Sequence, residues 1–318
     1  VRARSPKGIL YFEDKPSFMI SAEHATVVND GELVALEGTV RLKRLGKSPL
    51  LIQGDRLIWR PALSTMVINQ RPSALNRNSK LVSNSLTFQQ NSGQLLFAGP
   101  TKLSRWEKNF SSTIDPQTLI TAGHGRWNLN SGTIAAVGPI IANQSNGRQL
   151  TAASMQGNTT KNFLDLKAPV QFKLEDDKAV VDAGETRWDF EQNQLSSKAP
   201  VSASLTKGEV HGVGFIIDIP SNTLVISNSC KVAQPNKNLS ANRCSWNWKN
   251  DLLTAAGYVN LKETGSDQVK RADQMQGEFN PDGSIRFSPS QNRVKTQIKL
   301  ESGKNKDINQ RRPSQVQF

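Results

Sequence analysis

Few residues in this chain of 318 have the chemistry of catalysis, and they do not assemble into a reaction centre. Three histidines occur, His24, His124 and His211, with no serine–histidine–aspartate set or carboxylate pair recurring beside them. Nucleophilic or acid–base catalysis would need such a set. The two cysteines, Cys230 and Cys244, stand outside any CxxC or cysteine–histidine setting, so zinc is not expected. Gly46-Lys47-Ser48 lacks the upstream glycine of a phosphate-binding loop. Glu23, Asp55 and Asp273 each follow a small residue, where stabilising a turn suits them better than catalysis. The chain reads as non-enzymatic, with no cofactor and no metal.

Charge says more than these side chains do. Lys and Arg number 40 against 27 Asp and Glu, a formal net charge of +13, which calls for acidic partners. The basic residues are dispersed with no arginine–aromatic platform, so nucleic acid is not expected. Aromatics are 6% of the chain, low for a carbohydrate-stacking protein. No apolar run reaches the roughly 18 residues of a membrane-spanning helix. No secretory pattern opens the chain either, so any membrane anchor is expected outside this sequence.

The elements that position the side chains come from a repeat. LITAGHGRWNLNSGTIAAVGPIIAN (119–143) carries a skeleton that returns along the chain at intervals of about 30 residues. Its small anchor residues are Ala22, Gly54, Ser83, Ala122, Ala152, Ala183, Gly212, Ala241 and Ala272. An aliphatic residue stands two places before each of the first eight, from Ile20 to Leu239, and an apolar one twelve places after, from Val34 to Leu253. Sixteen places after come mostly small residues, often followed by proline, as at Gly99-Pro100 and Gly138-Pro139. The ninth unit departs, with Lys270, Ser284, Arg286 and Asn292 at expected core positions. A one-residue shift would instead bury Val269, Ile285 and Phe287.

Within units, apolar residues alternate with period two, as in FLDLKAPVQFKL (163–174), and Gly- and Asn-containing turns sit mid-unit. These features predict an all-β antiparallel fold of about eighteen short strands. The first strand of each unit has a parity problem. Its anchor and the residues three and five places on, such as Leu57 and Trp59, are all apolar or small. One extra residue would put them on one face, so a β-bulge is expected near Asp55-Arg56, Gly123-His124 and Asn242-Arg243. Trp59, Trp127, Trp188 and Trp246 then point inward at one level. The histidines fall at outward positions.

Three segments stand apart. Residues 104–116, with Trp106 and Phe110, are an insertion, read by default as a longer hairpin. Residues 1–17 read as a linker, and the polar, basic tail 301–318 as disordered. Cys230 and Cys244 both fall at inward positions, and either a cross-strand disulfide or two buried thiols fits.

The units 20–42 (ISAEHATVVNDGELVALEGTVRL), 51–59 (LIQGDRLIW) and 239–261 (LSANRCSWNWKNDLLTAAGYVNL) resemble the OstA-like β-jellyroll of the lipopolysaccharide transport proteins LptA, LptC and the N-terminal part of LptD. The resemblance spans residues 18 to 290. It implies a single elongated jellyroll over 18–300 that passively takes lipopolysaccharide from an ATP-driven inner-membrane extractor. It also implies a periplasmic bridge to the outer membrane, joined to other jellyroll Lpt proteins by edge-strand augmentation. The basic opening VRARSPKGILYFEDKPSF places it nearer the membrane-tethered LptC-like form than the soluble LptA-like one. A carrier of several acyl chains needs a continuous apolar trough, and one seam is expected to stay open. Its candidate lining is Leu36, Phe88, Phe97, Ile134, Leu166, Phe172, Trp188, Phe215 and Ile226. Small residues at the anchor and sixteen places on are expected to leave room in that trough. The competing readings are a β-solenoid polysaccharide-binding enzyme or adhesin, and a plain scaffold.

Overall fold

The computed structural model describes residues 1–12, 14–46, 50–145, 147–174, 178–263, 269–279, 285–288 and 295–297. Among them the chain forms one antiparallel sheet of 29 strand segments, interrupted by short 3-10 turns at Asn29–Gly31 and Pro61–Leu63, with no α-helix. It is an antiparallel β-jellyroll. The segments outnumber the roughly eighteen strands expected because about half of the strands are broken in the middle. Thr118–Ala122 and His124–Asn128 are two halves of one run, as are Lys237–Ala241 and Arg243–Asn247.

The connectivity is a meander. Leu33–Arg44 pairs with Leu50–Arg60, which pairs with both Thr65–Gln70 and Ser73–Asn76. The same pattern continues to Leu252–Glu263 beside Val269–Glu278. The breaks in the interrupted runs face the register shifts in the continuous ones, so the sheet is creased lengthwise into two layers. Side chains alternate across it, as Leu164 and Leu166 buried against Asp165 and Lys167 half-exposed. The inward set, from Leu10 to Phe279, forms one continuous core.

The crease explains the parity problem, with a difference. Gly54 and Leu57 are both buried with two residues between them, and Trp127, Trp188 and Trp246 are buried in the core, while Trp59 packs against it. The bulged pair, however, lies on the second strand of the unit. Opposite Asp55 stand both Gly38 and Thr39, since Glu37 meets Arg56 and Val40 meets Gly54. Gly138 and Pro139 likewise oppose Ala153, and Gly257 and Tyr258 oppose Asp273. Two residues facing one bend a strand and sharpen its twist, which is what a crease demands.

The small residues at the crease therefore answer to backbone crowding. A methyl on Gly54 would strike Ile68 Cγ2 and stand 2.9 Å from the Gln70 carbonyl oxygen. Gly257 has φ +77° and lies against Asn242, a conformation that favours glycine. These residues leave no room for a trough, because the neighbouring strand takes up the space beside them.

One terminal expectation needs correction. Residues 1–17 are not a free linker, for Arg2–Arg4 pairs with His24–Val28 and Lys7–Phe12 with Lys15–Ser21. Leu10 and Phe18 enter the core, and that burial holds the segment down. In the ninth unit Met275 and Phe279 are buried, while half-buried Lys270 binds Glu263 at 2.7 Å. The backbone of Ile285–Ser288 pairs with the preceding strand. The side chains of Ile285, Arg286 and Phe287 lie outside the described set, as do Ser284, Asn292, the tail 301–318, and Lys47 and Ser48.

Candidate functional site

All nine residues expected to line an open groove are in the core, none more than 5% exposed. The seam opposite the crease is closed, and the expected open trough is not present among the described residues. The reason is packing between the two layers. Phe88 meets Phe18 of the opposite layer edge to face, with ring centroids 5.1 Å apart; within a single run, Trp188 packs on Phe190 at 4.5 Å. Ile134 lines an internal cavity of about 30 Å³ with Leu103, Ile120, Trp127 and Leu164, closed over by Arg105 and Phe190. That is room for about one or two water molecules.

A polar layer lies above the aliphatic floor. Trp127 donates its indole N–H to Thr159 Oγ1 at 3.2 Å. The indole nitrogens of Trp59, Trp188, Trp246 and Trp248 are buried with no hydrogen-bond partner among the described residues. Buried donors are ordinarily satisfied, so each of these is a cost to the fold.

Cations span the seam above the tryptophans. Arg44 donates to the Leu129 carbonyl at 2.7 Å and to Asn130 Oδ1 at 3.0 Å. Arg105 donates to Asn162 Oδ1 at 3.1 Å and lies over the Phe190 ring at 4.5 Å. Lys178 donates to the Trp248 carbonyl at 3.3 Å, and Lys207 pairs with Asp251 at 3.4 Å. All four are half-buried. Burial pushes the pKa of Arg105 below its ordinary value, because desolvation disfavours the charged form.

The remaining chemistry-bearing residues lie away from the seam cations. His24, His124 and His211 are exposed, and His211 sits 3.3 Å from Glu209. Glu23 accepts a hydrogen bond from Thr39 at 2.7 Å across the crease. Asp55 accepts two from Arg71, at 2.5 and 2.9 Å, which hold its carboxyl below the usual carboxylate range. Cys230 and Cys244 are joined by a disulfide, with Cα atoms 5.9 Å apart. The insertion folds back: Trp106 is buried, donates to the Ile114 carbonyl at 2.7 Å and stacks edge-on against Phe110.

Sequence reasoning missed the seam cations and the second aromatic of each pair. Phe190 and Trp248 stand two places beyond Trp188 and Trp246, so the same alternation that placed the tryptophans could have found them. The cations had no such signal.

No model of a protein family matches the chain, and no curated protein matches it. Among solved structures it is similar to LptH of Pseudomonas aeruginosa, described as the LptA-homologous periplasmic component of the lipopolysaccharide transport device. The identity is 12%, over 79% of this chain and 96% of that one, with a TM-score of 0.16. At that score the two chains do not superpose as wholes, and the likeness carries no functional weight.

Proposed function

We propose that this chain is a passive carrier of lipopolysaccharide, holding its acyl chains between the two layers and its charged head at the seam. The observation that carries this reading is the layering of the interior: an aliphatic floor, a level of unpaired indole donors, and a rim of cations. An amphiphile with acyl chains, ester or amide carbonyls and anionic groups has the same layers in the same order. The closed seam in the free protein is the resting arrangement, and opening it exposes apolar surface that lipid then covers. The OstA-like resemblance of residues 18–290 supports the same lipid and a place in a periplasmic bridge. Energy comes from an ATP-driven extractor upstream.

Neighbouring jellyrolls dock at the ends of the sheet. Lys7–Phe12 pairs through one edge only among the described residues, and beside that free edge Ile9 and Tyr11 are 52% and 57% exposed. Free edges accept another strand. The C-terminal edge, carried by residues 270 to 318, is assigned to the next bridge protein. Deleting residues 280 to 318, which spares the buried Met275 and Phe279, should abolish that association and leave the rest folded.

Photocrosslinkers at inward Phe97 and Ile134, compared with outward Asp165 and Lys173, test the carrier reading. Lipopolysaccharide should label from the inward pair alone. Equal labelling from both faces overturns it.

A further inference from the structure

Resting on the carrier reading, we infer that Arg44, Arg105 and Lys178 are the residues that recognise the anionic head: lipid phosphate oxygens replace their present acceptors along the seam. Three observations lead there. First, these cations are half-buried, yet among the described residues the groups they contact are neutral: the Leu129 and Trp248 carbonyls and the Asn130 and Asn162 side-chain amides. A cation drawn out of water ordinarily gains an anion, and Lys207 a short way along the seam has one in Asp251.

Second, the acceptors belong to the opposite layer. Each bond therefore bridges the seam, and exchanging it for phosphate both satisfies the cation and releases the opposite turn. Third, the cations sit directly over the aromatic level. Arg105 covers Phe190, which packs on Trp188, and Lys178 holds the carbonyl of Trp248 itself. A phosphate at the rim thus places the linkage carbonyls of its acyl chains at the depth of the unpaired indole N–H groups. Arginine and lysine are both suited to this, arginine through its fork and lysine as a point charge.

The test uses the full chain and two fluorescent probes with identical acyl chains, bis-phosphorylated lipid A and its dephosphorylated counterpart. The native protein should prefer the phosphorylated probe. Arg44→Gln, Arg105→Gln and Lys178→Gln should each cut that preference roughly tenfold, the scale of one charge-assisted hydrogen bond. Affinity for the dephosphorylated probe should hold or rise, because a latch has been removed. Arg105→Lys should retain most of the preference, and Lys102→Gln, an exposed residue on the outer face, should retain all of it.

Thermal unfolding of each variant identifies any that fail to fold, and the three single sites are independent of one another. Preference unchanged in all three folded variants overturns the head-group assignment while leaving the carrier reading intact. Inorganic phosphate competing as well as the phosphorylated probe also overturns it, showing a free-anion site. Binding of neither probe to native protein overturns both readings.

Discussion

Phe18 and Phe88 meet edge to face across the interior, 5.1 Å between centroids, although they belong to opposite layers of the creased sheet. Both are buried, and Phe88 is fully enclosed. The contact is one of those that keep the layers shut. Phe88→Ala should destabilise the fold by about 3–5 kcal/mol, read as a lowered denaturation midpoint. Phe88→Leu should cost markedly less.

The Cys230–Cys244 bridge closes a loop with a sequence separation of 14. Replacing both cysteines by serine should remove roughly 3 kcal/mol of stability on the chain-entropy estimate for a loop of this size. Alkylation without reductant should leave the mass of the native chain unchanged. Alkylation after unfolding in reductant should add two labels.

Asp55 and Arg71 should make stability depend on acid. The hydrogen bonds from Arg71 lower the carboxyl pKa from its ordinary value of 3.8. A depressed carboxylate pKa contributes stability that is fully present above the unfolded-state value and lost as pH falls through the folded one. Asp55→Asn should therefore melt below the native chain at neutral pH, with the gap closing as the pH falls through the lowered folded-state value. Both groups are near the surface, so added salt should narrow the gap as well.

At the crease, Gly257 has φ +77°, and a methyl there would approach Asn242 Nδ2 to 2.8 Å. Gly257→Ala should cost about 1–3 kcal/mol through backbone strain and crowding. Combining it with Asn242→Ala should recover the crowding part and leave the strain. Equal losses in the single and double variants would show strain alone at work.

Much of the fold is legible because alternation is a local rule. Leu164, Leu166, Phe172 and Leu174 declare their face within one unit, and the repeat multiplies that signal along the chain. The parity break at Gly54–Leu57 is legible for the same reason. Its partner bulge at Gly38–Thr39 is not, because a bulge is defined by what lies opposite, and pairing across strands leaves no mark on one strand's pattern. The opening strand Lys7–Phe12 escapes notice because it has only a short inward stretch around Leu10 and lacks the anchor spacing. The seam is least legible of all. Arg44 reaches Asn130 and Arg105 reaches Asn162 by virtue of how two layers cross, and no spacing rule joins them.

The meander also dictates an order of construction. Each run of the sheet pairs with the runs just before and after it in the chain, so every closure is short and entropically cheap. A chain that emerges gradually can be laid down run by run, each new one templated on the last exposed edge. The latches obey a different clock. Arg44 must wait for a carbonyl 85 residues downstream, so the sheet grows as an open-sided sleeve and is fastened behind its own advancing end.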